Sequence, residues 1–204
     1  YAAMIEAMDN AVGKVLNSLD NLNLTDETLV IFSSDNGPFG GVGDASPLRA
    51  DKGHLYEGGI RVPMIATWPN LIKKKTKTNH ISAFHDFYAT VCDILGIEKP
   101  KAVNGLSFLP TLKSENQEKH QYLYWEIANK GGQQAIRYNN WKGLKKNLQK
   151  GKQKLQLFNL DNDIEELNDV SDENQNIVDQ LEKFLVQART KPTLKTFEIK
   201  ALDN

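Results

Sequence analysis

Thr28-Leu29-Val30-Ile31-Phe32-Ser33-Ser34-Asp35-Asn36-Gly37-Pro38 is the stretch that decides how this chain is read. Its first half is a short, unbroken apolar and β-branched run, the pattern of a strand buried on both faces. Its second half stops that strand with two hydrogen-bonding side chains, a glycine and a proline. In open α/β sheets ligands gather at the carboxyl ends of strands, so Asp35 and Asn36 stand where chemistry is expected. An Asp carboxylate beside an Asn amide oxygen offers two hard oxygen donors, of the kind Ca²⁺ or Mg²⁺ takes. The same residues also make a good turn. Two donors do not complete a Ca²⁺ shell, so further ligands are expected from elsewhere.

On the N-terminal side, Met4, Met8, Ala11, Val12, Val15 and Leu19 recur at helical spacing, with Glu6, Asn10, Lys14 and Asn17 opposite. Gly13 inside that pattern costs about 1 kcal/mol relative to Ala, which points to close packing there. A helix that opens at the first residue is expected to continue from an earlier element. On the C-terminal side, residues 35–59 are rich in Gly, Asp, Asn and Pro and show no period, as in a functional loop. Residues 62–68 read as a second strand, and 84–95 as a helix stopped by Gly96. Helix, buried strand, long loop, strand and helix form an α/β layer arrangement.

Beyond residue 113 the pattern changes. Residues 122–127, 134–138, 141–144 and 155–160 read as strands, with Asn139-Asn140 as a two-residue hairpin turn. A helix over 176–188 completes a small four-stranded antiparallel sheet with one covering helix. The fold class is therefore α/β with an appended α+β subdomain, divided as 1–113 and 114–204.

Composition excludes several functions. The chain has 204 residues, 40% of them hydrophobic, and a formal net charge of −1, which speaks against a broad basic nucleic-acid face. Apolar runs fall far short of the roughly 20 residues of a membrane span. The single cysteine, Cys92, rules out an internal disulfide framework and a multi-cysteine zinc site, and its place on an amphipathic helix suits a small core residue.

A second cluster is Lys52-Gly53-His54-Leu55-Tyr56-Glu57-Gly58-Gly59-Ile60-Arg61-Val62-Pro63. Its glycines let backbone approach a ligand closely, and Lys52 can set a compact positive charge against an anion. Taken alone, Lys52 also suits a solvated loop. Glu57 and Arg61, four residues apart, read as pins holding the loop to its neighbours.

In order along the chain, these two clusters resemble the second half of the type I, formylglycine-dependent sulfatase family, a branch of the alkaline-phosphatase superfamily. The likeness extends to Ala7-Met8-Asp9-Asn10-Ala11-Val12-Gly13, Asp86-Phe87-Tyr88-Ala89-Thr90, Tyr124-Trp125-Glu126, Gln134-Ala135-Ile136-Arg137, Trp141-Lys142 and Leu157-Phe158-Asn159-Leu160, followed by Asp163 and Glu166. The resemblance implies an arylsulfatase-like hydrolase, with 1–113 the C-terminal portion of the α/β catalytic domain and 114–204 its antiparallel-sheet subdomain. It implies Ca²⁺ as the metal, Asp35 and Asn36 as two of its ligands, and Lys52 as a catalytic sulfate contact. His54 is a further candidate for substrate contact. The implied substrate is a sulfated carbohydrate or aryl sulfate ester, and the implied location periplasmic or secreted. Two more acidic ligands, a Cys- or Ser-x-Pro-x-Arg nucleophile, a Lys and two His are expected upstream, in an N-terminal half of the sulfatase that acts as this chain's partner. The chain alone is then expected to be inactive. The competing readings are a phosphodiesterase or phosphatase of the same superfamily, and a non-catalytic fragment or binding module.

Other features carry less. Ala45-Ser46-Pro47-Leu48-Arg49 mimics the nucleophile motif, but alanine cannot become formylglycine. The four histidines, His54, His80, His85 and His120, have no zinc-motif spacing. His85 and Asp86 are adjacent and expected to point in different directions. Lys145, Lys146, Lys150, Lys152 and Lys154 read as a solvated turn balanced by acidic residues 161–173, or as a cationic edge that steers a polyanion. Tyr124, Trp125, Tyr138 and Trp141 suit packing, or stacking on sugar rings.

Overall fold

A computed structural model describes residues 1–203. In chain order its elements are α1 (Ala2–Asn21), β1 (Val30–Ser33), α2 (Glu57–Ile60), β2 (Met64–Thr67), α3 (Asp86–Ile94), α4 (Leu109–Leu112), β3 (Leu123–Ile127), β4 (Gln133–Tyr138), β5 (Trp141–Lys146), β6 (Gln156–Asn159), α5 (Gln175–Ala188) and α6 (Lys200–Asp203). They fall into two compact units. One comprises Tyr1–Ser33 with Pro63–His120, the other Ser34–Val62 with the chain from Gln121 onward.

In the first unit β1 pairs antiparallel with β2, Val30 opposite Thr67 and Ser33 opposite Met64. The expectation that β1 is buried on both faces does not hold among the described residues, where Phe32 is 40% exposed. Among the described residues the sheet has two strands, so β1 has a single partner strand and its side chains are at most half-buried. Helix α1 forms as its spacing predicts, yet it fully buries no side chain: Met4, Met8 and Val15 of its apolar stripe are exposed and Val12 and Leu19 half-buried. Gly13, expected to be closely packed, has no described atom from beyond its own turn of helix within 4 Å of where a Cβ would stand. The two longer helices of this unit, α1 and α3, end in paired backbone bonds. After α3, Gly96 adopts φ +64°, its N–H donates to Asp93 O and that of Ile97 to Cys92 O. After α1, Asn23 takes the same role, with Leu24 N–H donating to Leu19 O. A left-handed residue just past the helix satisfies carbonyls that would otherwise lack partners. No helix among the described residues is long and apolar enough to cross a membrane.

The second unit is built on an antiparallel sheet in the order β3-β4-β5-β6. Tyr138 pairs with Trp141 across Asn139-Asn140, the two-residue turn read from the sequence, and Asn139 has φ +54°. Side chains alternate across β4 and β5. Ile136 joins Leu155, Leu157, Val178, Leu181, Phe184 and Leu185 under α5. A Cβ on Gly143, opposite Ile136, would stand 3.0 Å from both Leu155 Cδ1 and Leu181 Cδ1, so glycine lets this layer close. The other face was not foreseen. Ala135, Leu144, Phe158 and Leu160 pack there against Leu55 and Tyr56. The sheet is therefore buried on both sides, by α5 on one and by the glycine-rich loop on the other.

Candidate functional site

That loop carries every candidate site residue, and backbone contacts hold it in shape. Gly37 N–H donates to Gly59 O at 2.9 Å, Gly58 N–H to Arg49 O at 2.9 Å, and Lys52 N–H to Pro38 O at 2.9 Å. The glycines permit approaches that no side chain survives. A Cβ on Gly37 would stand 1.8 Å from Gly58 O, one on Gly58 2.4 Å from Ala50 O, and one on Gly59 2.0 Å from His54 O. Each clash is with backbone, which cannot swing aside. The Asp35-Asn36-Gly37 turn is thus locked onto α2, and Lys52 is tied to the residue that follows the turn.

Within this frame the candidate side chains are free to act. Asp35 is exposed, and its carboxylate has no hydrogen-bond or ion-pair partner among the described residues. Asn36 Nδ2 donates to Gly37 O at 3.2 Å, which fixes the amide and leaves Oδ1 as an unused acceptor. One unclaimed carboxylate and one oriented amide oxygen form a hard donor set that fits an oxygen-seeking cation such as Ca²⁺. Lys52 is exposed and makes no ion pair among the described residues. His54 differs, because its Nδ1 lies 2.9 Å from Asp51 Oδ1 and is engaged within the loop.

Beneath the loop lies a buried ionic network. Glu57, 2% exposed, has Oε1 at 2.7 Å from Lys142 Nζ and Oε2 at 3.3 Å from Arg137 and 3.7 Å from Arg61. Burial pushes the Glu57 carboxyl up, but Lys142, Arg137 and Arg61 together outweigh it and hold the group below its ordinary value. Glu166 accepts the Glu57 backbone N–H at 2.6 Å and lies 3.4 Å from Lys142 Nζ. Here burial wins over Lys142, with the Glu57 charge adding to it, so Glu166 is held above its ordinary value. Arg49 closes the network, donating to Glu166 O and lying 4.2 Å above the Tyr56 ring. Gln133, 1% exposed, accepts from Leu55 N–H at 3.1 Å and donates to Gly53 O at 3.2 Å.

Glu57 therefore serves as a pin. Its partners Lys142, Arg137 and Glu166, and the anchor Gln133, were not singled out as site supports. Trp141-Lys142 and Glu166 are visible in the sequence, but their burial depends on pairings across more than 80 residues. Much of the lysine cluster is also engaged: Lys145 pairs with Glu182 at 2.6 Å, Lys146 donates to Tyr56 Oη at 2.6 Å, and Lys154 bonds Asp172. The strand aromatics pack. Tyr138 lies 5.4 Å from Phe184, and Trp125 and Trp141 lie against the two apolar clusters.

Residues 49–191 match the family described as N-sulphoglucosamine sulphohydrolase, C-terminal. A sulfatase of Formosa agariphila is 38% identical over 143 residues, covering 62% of this chain and 26% of that protein. The mouse N-acetylgalactosamine-6-sulfatase is 32% identical over 133 residues, 61% of this chain and 25% of its own length. The crystal structure of Ps i-CgsB in complex with k-i-k-neocarrahexaose superposes with a TM-score of 0.80 at 33% identity, over 98% of this chain and 44% of that one. The chain thus spans about a quarter of the length of these curated relatives.

Proposed function

Because this chain belongs to the sulfatase family of the alkaline-phosphatase superfamily and covers a C-terminal part of it, we propose that it supplies the metal-and-sulfate side of a sulfuric ester hydrolase. The observation that carries the reading is the backbone lock among Gly37, Gly58 and Gly59, with the Lys52–Pro38 bond beside it. It joins on one loop the backbone that carries Asp35, Asn36 and Lys52, whose carboxylate and ammonium have no partner among the described residues.

Asp35 and Asn36 would hold Ca²⁺, which when bound polarises sulfate oxygens. Lys52 sets a fixed positive charge at oxygens that gain negative charge as the sulfuryl group transfers, and so stabilises that transfer. Its backbone N–H is held by Pro38 O, which anchors the base of the side chain on the loop while the ammonium group reaches out from it. Glu57, Lys142, Arg137 and Glu166 position the loop from below. The nucleophile, a formylglycine, lies outside residues 1–204, with the remaining ligands in the N-terminal half of the sulfatase. A sulfated carbohydrate is the substrate class that the N-acetylgalactosamine-6-sulfatase and neocarrahexaose-bound relatives favour.

The test is an assay of the complete protein on matched sulfate and phosphate esters. Sulfate ester hydrolysis that a Ca²⁺ chelator abolishes is the expected result. Preferential phosphate ester hydrolysis overturns the reading in favour of a phosphatase or phosphodiesterase. Residues 1–204 alone are expected to turn over neither ester.

A further inference from the structure

Two of the chain's four histidines lie against one buried carboxylate in the first unit, well apart in sequence from the loop that carries the candidate site. Asp86 is fully buried at the start of α3. His120 Nε2 stands 2.8 and 2.9 Å from its two oxygens, and His85 Nε2 3.6 Å from Oδ1. The His85 and His120 rings meet edge to face at 5.3 Å. One ligand atom from each of His85, Asp86 and His120 falls within 4.8 Å of the others.

We propose that His85, Asp86 and His120 bind a borderline transition-metal ion of the Zn²⁺ type, at a site independent of the Asp35-Asn36 pair. Two imidazoles and a carboxylate are the donor set such ions select, whereas Ca²⁺ takes oxygen alone. With bonds of roughly 2.0–2.2 Å, tetrahedral ligand atoms lie about 3.3–3.6 Å apart. The His85–Asp86 spacing of 3.6 Å already fits this. At His120 the ion takes the place of the proton shared with Asp86, and the ring backs away by about half an ångström.

The surroundings suit a ligand carboxylate. Asp86 Oδ2 accepts Ala83 N–H at 2.7 Å and Oδ1 accepts Leu106 N–H at 2.8 Å, outer bonds that hold it in position. His120 is mostly buried, while His85 is about half exposed, so an ion can enter from that side and keep a water as its fourth ligand. The ion would join the start of α3 to a segment 34 residues later.

The test uses the complete protein, stripped with a chelator, returned to saturating Ca²⁺ and titrated calorimetrically with Zn²⁺, with melting followed in parallel. One Zn²⁺ per chain is expected, at a roughly micromolar or tighter Kd, with a rise in Tm. His85→Ala should weaken that uptake by at least about tenfold and remove the rise in Tm. Because His85 is half exposed, its metal-free melting should match wild type. His120→Ala should lose the ion too, and His54→Ala should bind as wild type. Zn²⁺ uptake unchanged in His85→Ala, or no uptake by wild type, means that the cluster is a metal-free hydrogen-bonded latch and overturns the proposal.

Discussion

Lys142→Met tests the support beneath the candidate site. Methionine keeps the unbranched apolar stem and deletes the ammonium group, so little cavity forms. Lys142 is fully buried, and its Nζ lies 2.7 Å from Glu57 and 3.4 Å from Glu166. At an effective dielectric of about 20, those separations correspond to attractions of about 6 and 5 kcal/mol before desolvation is subtracted. Glu57 keeps Arg137 and Arg61 in the variant. Glu166 keeps no side-chain cation among its ion pairs and stays buried beside the Glu57 charge. Breaking a buried pair of this kind costs about 3–5 kcal/mol. For a chain of this length that lowers Tm by roughly 6–20 °C. Thermal melting by circular dichroism of wild type, Lys142→Met, Glu166→Gln and the double variant supplies the numbers. The double variant removes the carboxylate left most isolated, so it should recover at least about 1 kcal/mol relative to additivity. A Lys142→Met melt within about 1 °C of wild type, or strictly additive effects, would refute the account of this network.

Three further outcomes follow from the buried network and the glycine lock. Glu166 is held above its ordinary value of 4.5, so the folded state binds more protons than the unfolded one as pH rises from 4.5 to that raised value. Stability falls through that window, and Glu166→Gln should flatten the fall in a Tm-against-pH series. Glu57 is held below 4.5, so its contribution is present above that value and lost as pH drops through its lowered one. Gly37→Ala sets a Cβ 1.8 Å from a backbone oxygen, so it should destabilise by more than about 2 kcal/mol in a denaturant melt and displace Asp35 and Asn36 together.

Much of this fold was legible because local rules and tertiary packing agree. The period of α1, the glycine after α3, the Asn139-Asn140 turn and the four strands follow from spacing and turn chemistry that the structure repeats. The burial of β1 was misread because an apolar run reports what a strand can bury, and here it has one partner strand. The second covering layer of the sheet was missed because Leu55 and Tyr56 lie in a stretch without period, where no pattern announces packing. The site was legible as two motifs but not as one object. The contacts that join them are backbone to backbone through three glycines, and such contacts leave no side-chain signature. The ionic floor and the His85-Asp86-His120 cluster depend on residues brought together from distant parts of the chain, which spacing rules do not register.

Lys52→Ala in the complete protein addresses the central claim most directly. Lys52 is exposed and makes no ion pair among the described residues, so its loss should leave the melting temperature close to wild type. Steady-state turnover of a sulfate ester should fall by roughly 10²–10³-fold, the usual cost of losing one group aimed at developing charge. Turnover unchanged in a folded Lys52→Ala protein would contradict the claim that this loop presents a sulfate-binding cation.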